Sequence, residues 1–184
     1  MASNSTDSGL VIDQTTIFSL FAALTVLIVA YATSLRVLHP STTIKLRILY
    51  IWHMFDALIH FFFESFFLYH SFFTYRTLTD TNDYPHPASL TSPNTYFLGR
   101  KDRQYGCAHG TAPTARLWQE YAKSDRRWAH ADTTVVGIEL LTVFGAGPLA
   151  LLVCELIRRR DLGARLWFWA TVLATGVFNP KFDN

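Results

Sequence analysis

The chain has 184 residues, half of them hydrophobic, 15% aromatic and 16% charged, and its 16 Lys+Arg against 14 Asp+Glu leave a net charge of +2. That balance gives no electrostatic footprint for a nucleic acid. The apolar residues are gathered into long runs, which excludes a disordered chain and leaves a water-soluble fold with no use for them, since ~20 such residues make one bilayer-crossing helix.

The first run, Thr15–Leu35, lies within 22 uncharged residues between Asp13 and Arg36. A cleaved secretory signal begins with a positive region and has an apolar core of only ~7–15 residues. Met1–Asp13 holds no Lys or Arg and carries Asp7 and Asp13, so the run reads as a retained spanning helix behind a polar tail, residues 1–14. The connection Arg36–Arg47 is short, with His39-Pro40 as a helix stop. The second run is Ile48–Phe73, whose only formal charges are Asp56 and Glu64.

A long polar loop follows, residues 76–131. It opens on Thr79-Asp80-Thr81-Asn82-Asp83-Tyr84-Pro85-His86-Pro87, a composition that punctuates rather than packs. Its later stretch, Ala115–Lys123, is helix-competent and aromatic, as suits a membrane interface. The third run is Thr133–Leu156, interrupted by Glu139. The connection Arg158–Arg165 carries four arginines. The fourth run, Leu166–Val177, is short: Leu166 to Asn179 gives about 21 Å of helix against a hydrocarbon core ~30 Å thick. Residues 179–184 form a tail.

In lipid every backbone group must be paired within the segment. The expected fold is therefore all-α: a polytopic membrane helical bundle of about four hydrophobic helices, the fourth short or incomplete. The positive-inside rule places the two arginine-bearing connections in the cytoplasm and the N-terminus outside, and the sequon Asn4-Ser5-Thr6 would report on that orientation. Cys107 and Cys154 lie in a Gly-flanked loop and an apolar run and form no disulfide framework.

The second run holds His53, Asp56, His60 and Glu64 at spacings of three, four and four, which gives them one broad helix face with Trp52 at its edge. The third adds Glu139 and, three residues on, Thr142. Ionisable groups inside a membrane are costly and mark sites that face a bundle interior. Buried carboxyls and an imidazole on facing helices form an acid/base set: one carboxyl protonated as donor, another ionised as acceptor. Such a set can move a double bond by protonating one carbon and deprotonating another, with carboxylates and aromatic faces stabilising the carbocation between.

Plainer readings stand beside this one. His53 and His70 read as helix–helix hydrogen-bonding residues. Phe61-Phe62-Phe63, Phe66 and Phe67 read as packing and lipid-facing surface, and Arg158-Arg159-Arg160 as a headgroup anchor. Tyr121 and Trp128 read as interface aromatics or as substrate-lining residues. Histidines and carboxylates at helical spacing can hold iron or zinc, but the repeated His-x-x-His clusters of a di-iron site are missing, so no metal is expected.

Trp52, Ile59-His60 and Glu64 resemble the second-helix signature of the emopamil-binding protein family, the sterol Δ8–Δ7 isomerases of the EXPERA domain. Leu117-Trp118-Gln119-Glu120-Tyr121-Ala122-Lys123-Ser124-Asp125 is similar to that family's Leu-Trp-Lys-Glu-Tyr-Ala-Lys-Gly-Asp stretch. Asp132, Glu139, Thr142 and Gly147-Pro148-Leu149 follow the order of its third helix. The resemblance runs from about Arg47 to Gly176 and makes residues 15–178 the EXPERA-like membrane domain.

The resemblance implies a multi-pass protein of the endoplasmic reticulum with a lipid-accessible pocket for a flat polycyclic substrate. Its chemistry would be a ring double-bond shift through a carbocation, without cofactor or metal. It places His60, Glu64 and Glu139 at proton-handling positions, Thr142 at a supporting polar position, and Trp52, Tyr121 and Trp128 at aromatic pocket or structural positions. Asp56 is expected to line the substrate site. The partners expected are a sterol or terpenoid small molecule and the bilayer, with no nucleic acid; a homodimer is compatible with this reading.

Three departures accompany the resemblance. Asp56 stands where a small or apolar residue is expected, the Asp80–Pro113 region is much longer than the family's loop, and Val177–Asn184 matches neither the end of the family's fourth helix nor its fifth. The leading expectation is an isomerase of sterol-like or terpenoid substrates. The alternatives are a non-catalytic sterol- or lipid-binding membrane protein, and a carbocation or epoxide rearrangement or cyclisation in the same pocket.

Overall fold

The computed structural model describes residues 14–79 and 97–175. The sequon at Asn4, most of the Thr79–Pro87 stretch, the end of the fourth run and the C-terminal tail lie outside them. Among the described residues the protein is a helical bundle, and three of its helices are long and apolar enough to cross a membrane: α1 (Gln14–Val37), α2 (Ile44–Phe73) and α4 (Thr133–Arg159), of 24, 30 and 27 residues. The all-α expectation holds.

α1 shows its large side chains to the outside, with Phe18, Leu20 and Phe21 each more than half exposed. Its buried residues are small, Ala30 and Ser34, which lets the backbones of α1 and α2 approach closely. At that approach Arg47 Nη1 donates to the Ser34 carbonyl at 2.8 Å. α2 starts four residues before the second apolar run because Thr43 caps it, Oγ1 accepting from the Leu46 N–H at 3.4 Å.

α2 and α4 pack in opposite directions, the first half of α2 on the second half of α4 and the end of α2 on the start of α4. Asp132 caps α4, its Oδ1 accepting from the N–H groups of Thr134 and Val135 at 3.0 and 3.1 Å. α4 ends at Arg160, which is left-handed at φ 60°. α5 (Ala164–Thr175) packs against α4 and has 12 residues, about 18 Å of helix, so over its described length it falls short of a full crossing.

The long connection is more structured than its composition suggests. β1 (Tyr75–Thr77) and β2 (Arg103–Tyr105) pair antiparallel, with Arg76 opposite Gln104, and Arg76 Nε donates to Gln104 Oε1 at 2.8 Å. The short α3 (Pro113–Tyr121) covers the expected aromatic helix two residues earlier than read, with Pro113 in its first turn. Gln119 Nε2 ties α3 back to the carbonyls of Cys107 and Gly110 at 2.7 and 2.8 Å.

Two contacts orient the bundle. Arg160 Nη2 donates to Ser41 Oγ at 2.6 Å, so both arginine-bearing connections share one end. Thr16 Oγ1 donates to Glu120 Oε1 at 2.5 Å, which brings the start of α1 to α3 at the opposite end.

Each end has its own apolar core. At the basic end Tyr50, Val153, Cys154, Leu156, Ile157, Leu166 and Ala170 are buried together. At the other, Phe67, Leu68, Cys107, Ala115, Trp118, Val135, Val136 and Val143 are. His60, buried but polar, lies on α2 between the residues of the two clusters, and Glu139, likewise buried and polar, lies on α4 among the valines of the second.

Candidate acid/base site

The polar residues of α2 and α4 meet where both helices leave α-geometry. Ile59–Glu64 of α2 and Thr142–Ala146 of α4 are π-helical turns, and they face each other. A π turn widens the helix by one residue, and such turns concentrate at functional sites. On α4 the cause is legible: Pro148 has no N–H to return to the preceding turn, while Gly145 and Gly147 ease the winding. Gly147 also sets the approach. A Cβ there would lie 3.3 Å from His60 Cβ and 3.2 Å from Phe61 Cζ, so the two helices touch through its missing side chain.

His60 Nδ1 is 2.6 Å from Glu64 Oε2. The same carboxylate oxygen accepts from Thr142 Oγ1 at 2.5 Å. Thr142 Oγ1 is also 3.0 Å from the Glu139 carbonyl and 3.4 Å from Glu139 Oε2. A hydroxyl carries one proton and two lone pairs, so Thr142 can donate to one carboxyl while it accepts from the other. His60 Nε2 stands 3.6 Å from Asp56 Oδ1, with the Asp56 side chain about one-third exposed. Four of the expected residues, His60, Glu64, Glu139 and Thr142, thus form one connected constellation, and Asp56 stands at its open edge.

The three expected aromatics lie elsewhere. Trp128 stacks on Trp118 at 5.0 Å between centroids and meets Phe67 edge-on at 5.1 Å. Tyr121 packs against Trp118 and Trp128 at 5.5 and 5.4 Å and is more than half exposed. They form a cluster at the loop end of the bundle, reaching the site through Phe67, three residues beyond Glu64. Trp52 faces outward, 63% exposed.

Trp118 is the residue that sequence reading left as part of a motif without a role. Its indole N–H donates to the Phe63 carbonyl at 3.1 Å, so α3 is pinned to the π turn of α2 itself. Nothing in periodicity announces this bond, although a buried Trp needs a partner for its N–H. His70 also proves structural, bonded to Thr74 Oγ1 at 2.7 Å and to Thr114 Oγ1 at 2.9 Å.

An apolar cavity of about 180 Å³ lies between α1, α2 and α3, lined by residues that include Phe18, Phe62, Phe66 and Leu117. It is smaller than the ~300–1,000 Å³ of ordinary small-molecule sites and includes none of the acid/base residues. Among the described residues no three His, Cys, Asp or Glu side chains are placed so that together they could hold a metal ion.

Outside the membrane helices, His109 and His130 lie ring to ring at 5.6 Å. Burial, then His130 and the Arg76 guanidinium, bring His109 down to about 4; burial and Arg76 also lower His130. Burial pushes the Cys107 thiol up to about 12, and its Sγ donates to the Trp128 carbonyl at 3.0 Å. That thiol is a packing group.

Residues 113–179 match the family model described as EBP, EXPERA (EXPanded EBP superfamily), which bears out the family resemblance. The matched stretch holds Tyr121, Trp128, Glu139 and Thr142 and begins at Pro113. Trp52, Asp56, His60 and Glu64 precede it; of these, Glu64 bonds Thr142 and His60 packs beside Gly147, both within the matched stretch.

Proposed function

We propose that this EXPERA-family membrane protein is an isomerase that shifts a ring double bond of a sterol-like or terpenoid substrate. One observation carries the reading: the Thr142 hydroxyl links Glu64 and Glu139 across two facing π turns, with His60 on the same Glu64 oxygen. Two carboxyls this close cannot ionise independently and titrate as a set. One of them holding a proton and the other accepting is the pairing that an alkene shift requires.

The step balances without a redox partner. An acid of the set delivers a proton to one alkene carbon, and the π electrons form the new C–H bond. The adjacent cation then loses a proton to a carboxylate, and the electrons of that C–H bond become the new double bond. Glu64 and Glu139 are the proton-handling groups, with His60 holding and relaying the Glu64 proton. Glu64 and Asp56 supply negative charge toward the cation, where preorganised groups are worth most.

Access is lateral in this reading. Leu141 and Phe144 on α4 are exposed beside the site, so a flat apolar substrate would enter from the lipid between α2 and α4. We place the basic end in the cytoplasm, by the positive-inside rule, and the protein in the endoplasmic reticulum, in keeping with the family resemblance.

The test is turnover of a panel of Δ8-sterols and cyclic terpenoids by the protein in lipid, run in deuterated water with NMR of the products. Deuterium at a ring carbon of a shifted alkene supports the reading. Saturable sterol binding with no turnover, indifferent to Glu64→Gln and Glu139→Gln, would replace it with a non-catalytic sterol-binding role. A rearranged, cyclised or ring-opened product would replace it with carbocation or epoxide chemistry.

A further inference from the structure

We propose that His53 and Asp56 extend the acid/base set into a proton path along α2 that joins the Glu64–Glu139 pair to the basic end of the bundle. The use of the path rests on the isomerase reading; its geometry does not.

His53, Asp56, His60 and Glu64 follow one another by about one turn each, covering about 16 Å of helix. Of the inner links, Glu64 to His60 Nδ1 is a hydrogen bond at 2.6 Å, and His60 Nε2 to Asp56 is a wider ion-pair contact at 3.6 Å. His53 is 3% exposed, and its Nδ1 is buried without a hydrogen-bond partner among the described residues. Nearly all buried polar atoms have partners, and the exceptions call for a reason. Asp56 follows it by three residues along α2, a spacing that sets the two side chains on one helix face.

One turn before His53 is Tyr50, buried against α4, where Cys154 Sγ donates to its carbonyl at 3.5 Å. Glu155, next in the chain to Cys154, and Arg158 are partly exposed at the basic end and paired with each other at 2.6 Å. The ladder therefore runs from a charged, solvent-facing end to the middle of the bundle.

The residue types suit transfer. An imidazole takes a proton on one ring nitrogen and gives one up from the other, and a carboxylate between two imidazoles can hold it in passage. Each passage moves one proton inward and releases one at the far side, with no bond to carbon and no electron transferred. The need follows from the isomerisation. Each turnover leaves the proton on the accepting carboxyl, and it must return to the donor either within the set or by exchange with water. A third carboxyl in a membrane helix, costly to keep there, is what exchange with water uses and what a closed internal return would not.

The path is tested in lipid nanodiscs by two readouts on the full chain. The first is hydrogen–deuterium exchange of the His60 ring N–H by NMR on ¹⁵N-histidine protein. His53→Phe and His53→Gln should each slow it by roughly a hundredfold, the low end of what a positioned proton-transfer group contributes. Asp56→Asn should slow it likewise and Asp56→Glu restore it, which a purely structural role would not produce. Unchanged exchange in the His53 variants and in Asp56→Asn, with thermal unfolding like the parent, overturns the path.

The second readout is deuterium incorporated per product over many turnovers. The parent should place close to one deuterium in each product, whereas His53→Phe should recycle hydrogen taken from substrate and fall well below that. Full incorporation in the variant overturns the path. A parent that turns nothing over defeats the isomerase reading instead, and the ring exchange still decides the path.

Discussion

Thr142 Oγ1 and Glu64 Oε2 are 2.5 Å apart although 78 residues separate them in the chain. The bond joins the two π turns on the same Glu64 oxygen that His60 Nδ1 meets at 2.6 Å. Thr142→Val removes this donor and leaves Glu64 Oε2 with His60 alone, a loss of ~1.5–3 kcal/mol for a hydrogen bond to a charged group. Turnover should fall by about ten- to a hundredfold, and Thr142→Ser should recover most of it. Steady-state kinetics of the two variants check this.

Glu64→Gln and Glu139→Gln should each lower turnover by ~10²–10⁴-fold, the range for a positioned acid or base. His60→Ala should be of similar severity. His70→Ala removes bonds to Thr74 and Thr114 and should lower the thermal midpoint while leaving the turnover of the folded fraction close to that of the parent. Comparing kcat with the unfolding curve for all four variants separates the two kinds of histidine.

Gly147→Ala brings a methyl group to 3.2–3.3 Å from Phe61 and His60 Cβ. The Phe61 ring can yield, but His60 Cβ belongs to the helix wall, so α2 and α4 must part slightly. Overpacking of this kind costs ~1–3 kcal/mol. A lowered thermal midpoint together with reduced turnover is expected, and a variant as stable and active as the parent would show that the helices do not meet at this glycine.

The His109–His130 pair predicts an acid-sensitive loop end. His109 is held at about 4 by burial, His130 and Arg76, whereas in the unfolded chain it titrates near 6.5. Between those values the unfolded state binds more protons, so stability falls as pH drops through that window. His130, also lowered, acts in the same sense. The thermal midpoint should therefore decrease from pH 7.5 to pH 5, and the decrease should be smaller in His109→Gln.

The spanning helices and the acid/base face were legible because each rests on a strong local signal. Long uncharged runs can satisfy lipid only as helices, and His60 and Glu64 at i, i+4 must share a face. Their junction with Glu139 and Thr142 depends on a long-range packing that spacing alone does not supply. The π turns leave almost no mark in periodicity; only Gly145, Gly147 and Pro148 hint at the one on α4. The β1–β2 pairing was hidden because three-residue strands separated by a long insertion have no alternation to read. Aromatic content alone could not distinguish Trp118, whose N–H reaches Phe63, from Tyr121 and Trp128, which pack around it.

A π turn is one surplus residue wound into a helix, and at about 100° per residue it rotates everything beyond it relative to everything before. In α2 the surplus decides how His53 and Asp56 on one side are phased with Phe67 and His70 on the other; in α4 it phases Glu139 with Cys154. Removing a single residue from either turn would leave every side chain named here in the protein, yet swing half of the helix away from its partners. The chemistry of this bundle is thus more exposed to one-residue insertions and deletions within Ile59–Glu64 and Thr142–Ala146 than to most substitutions, and the same small change in chain length is a route by which its site could be re-aimed at a new substrate.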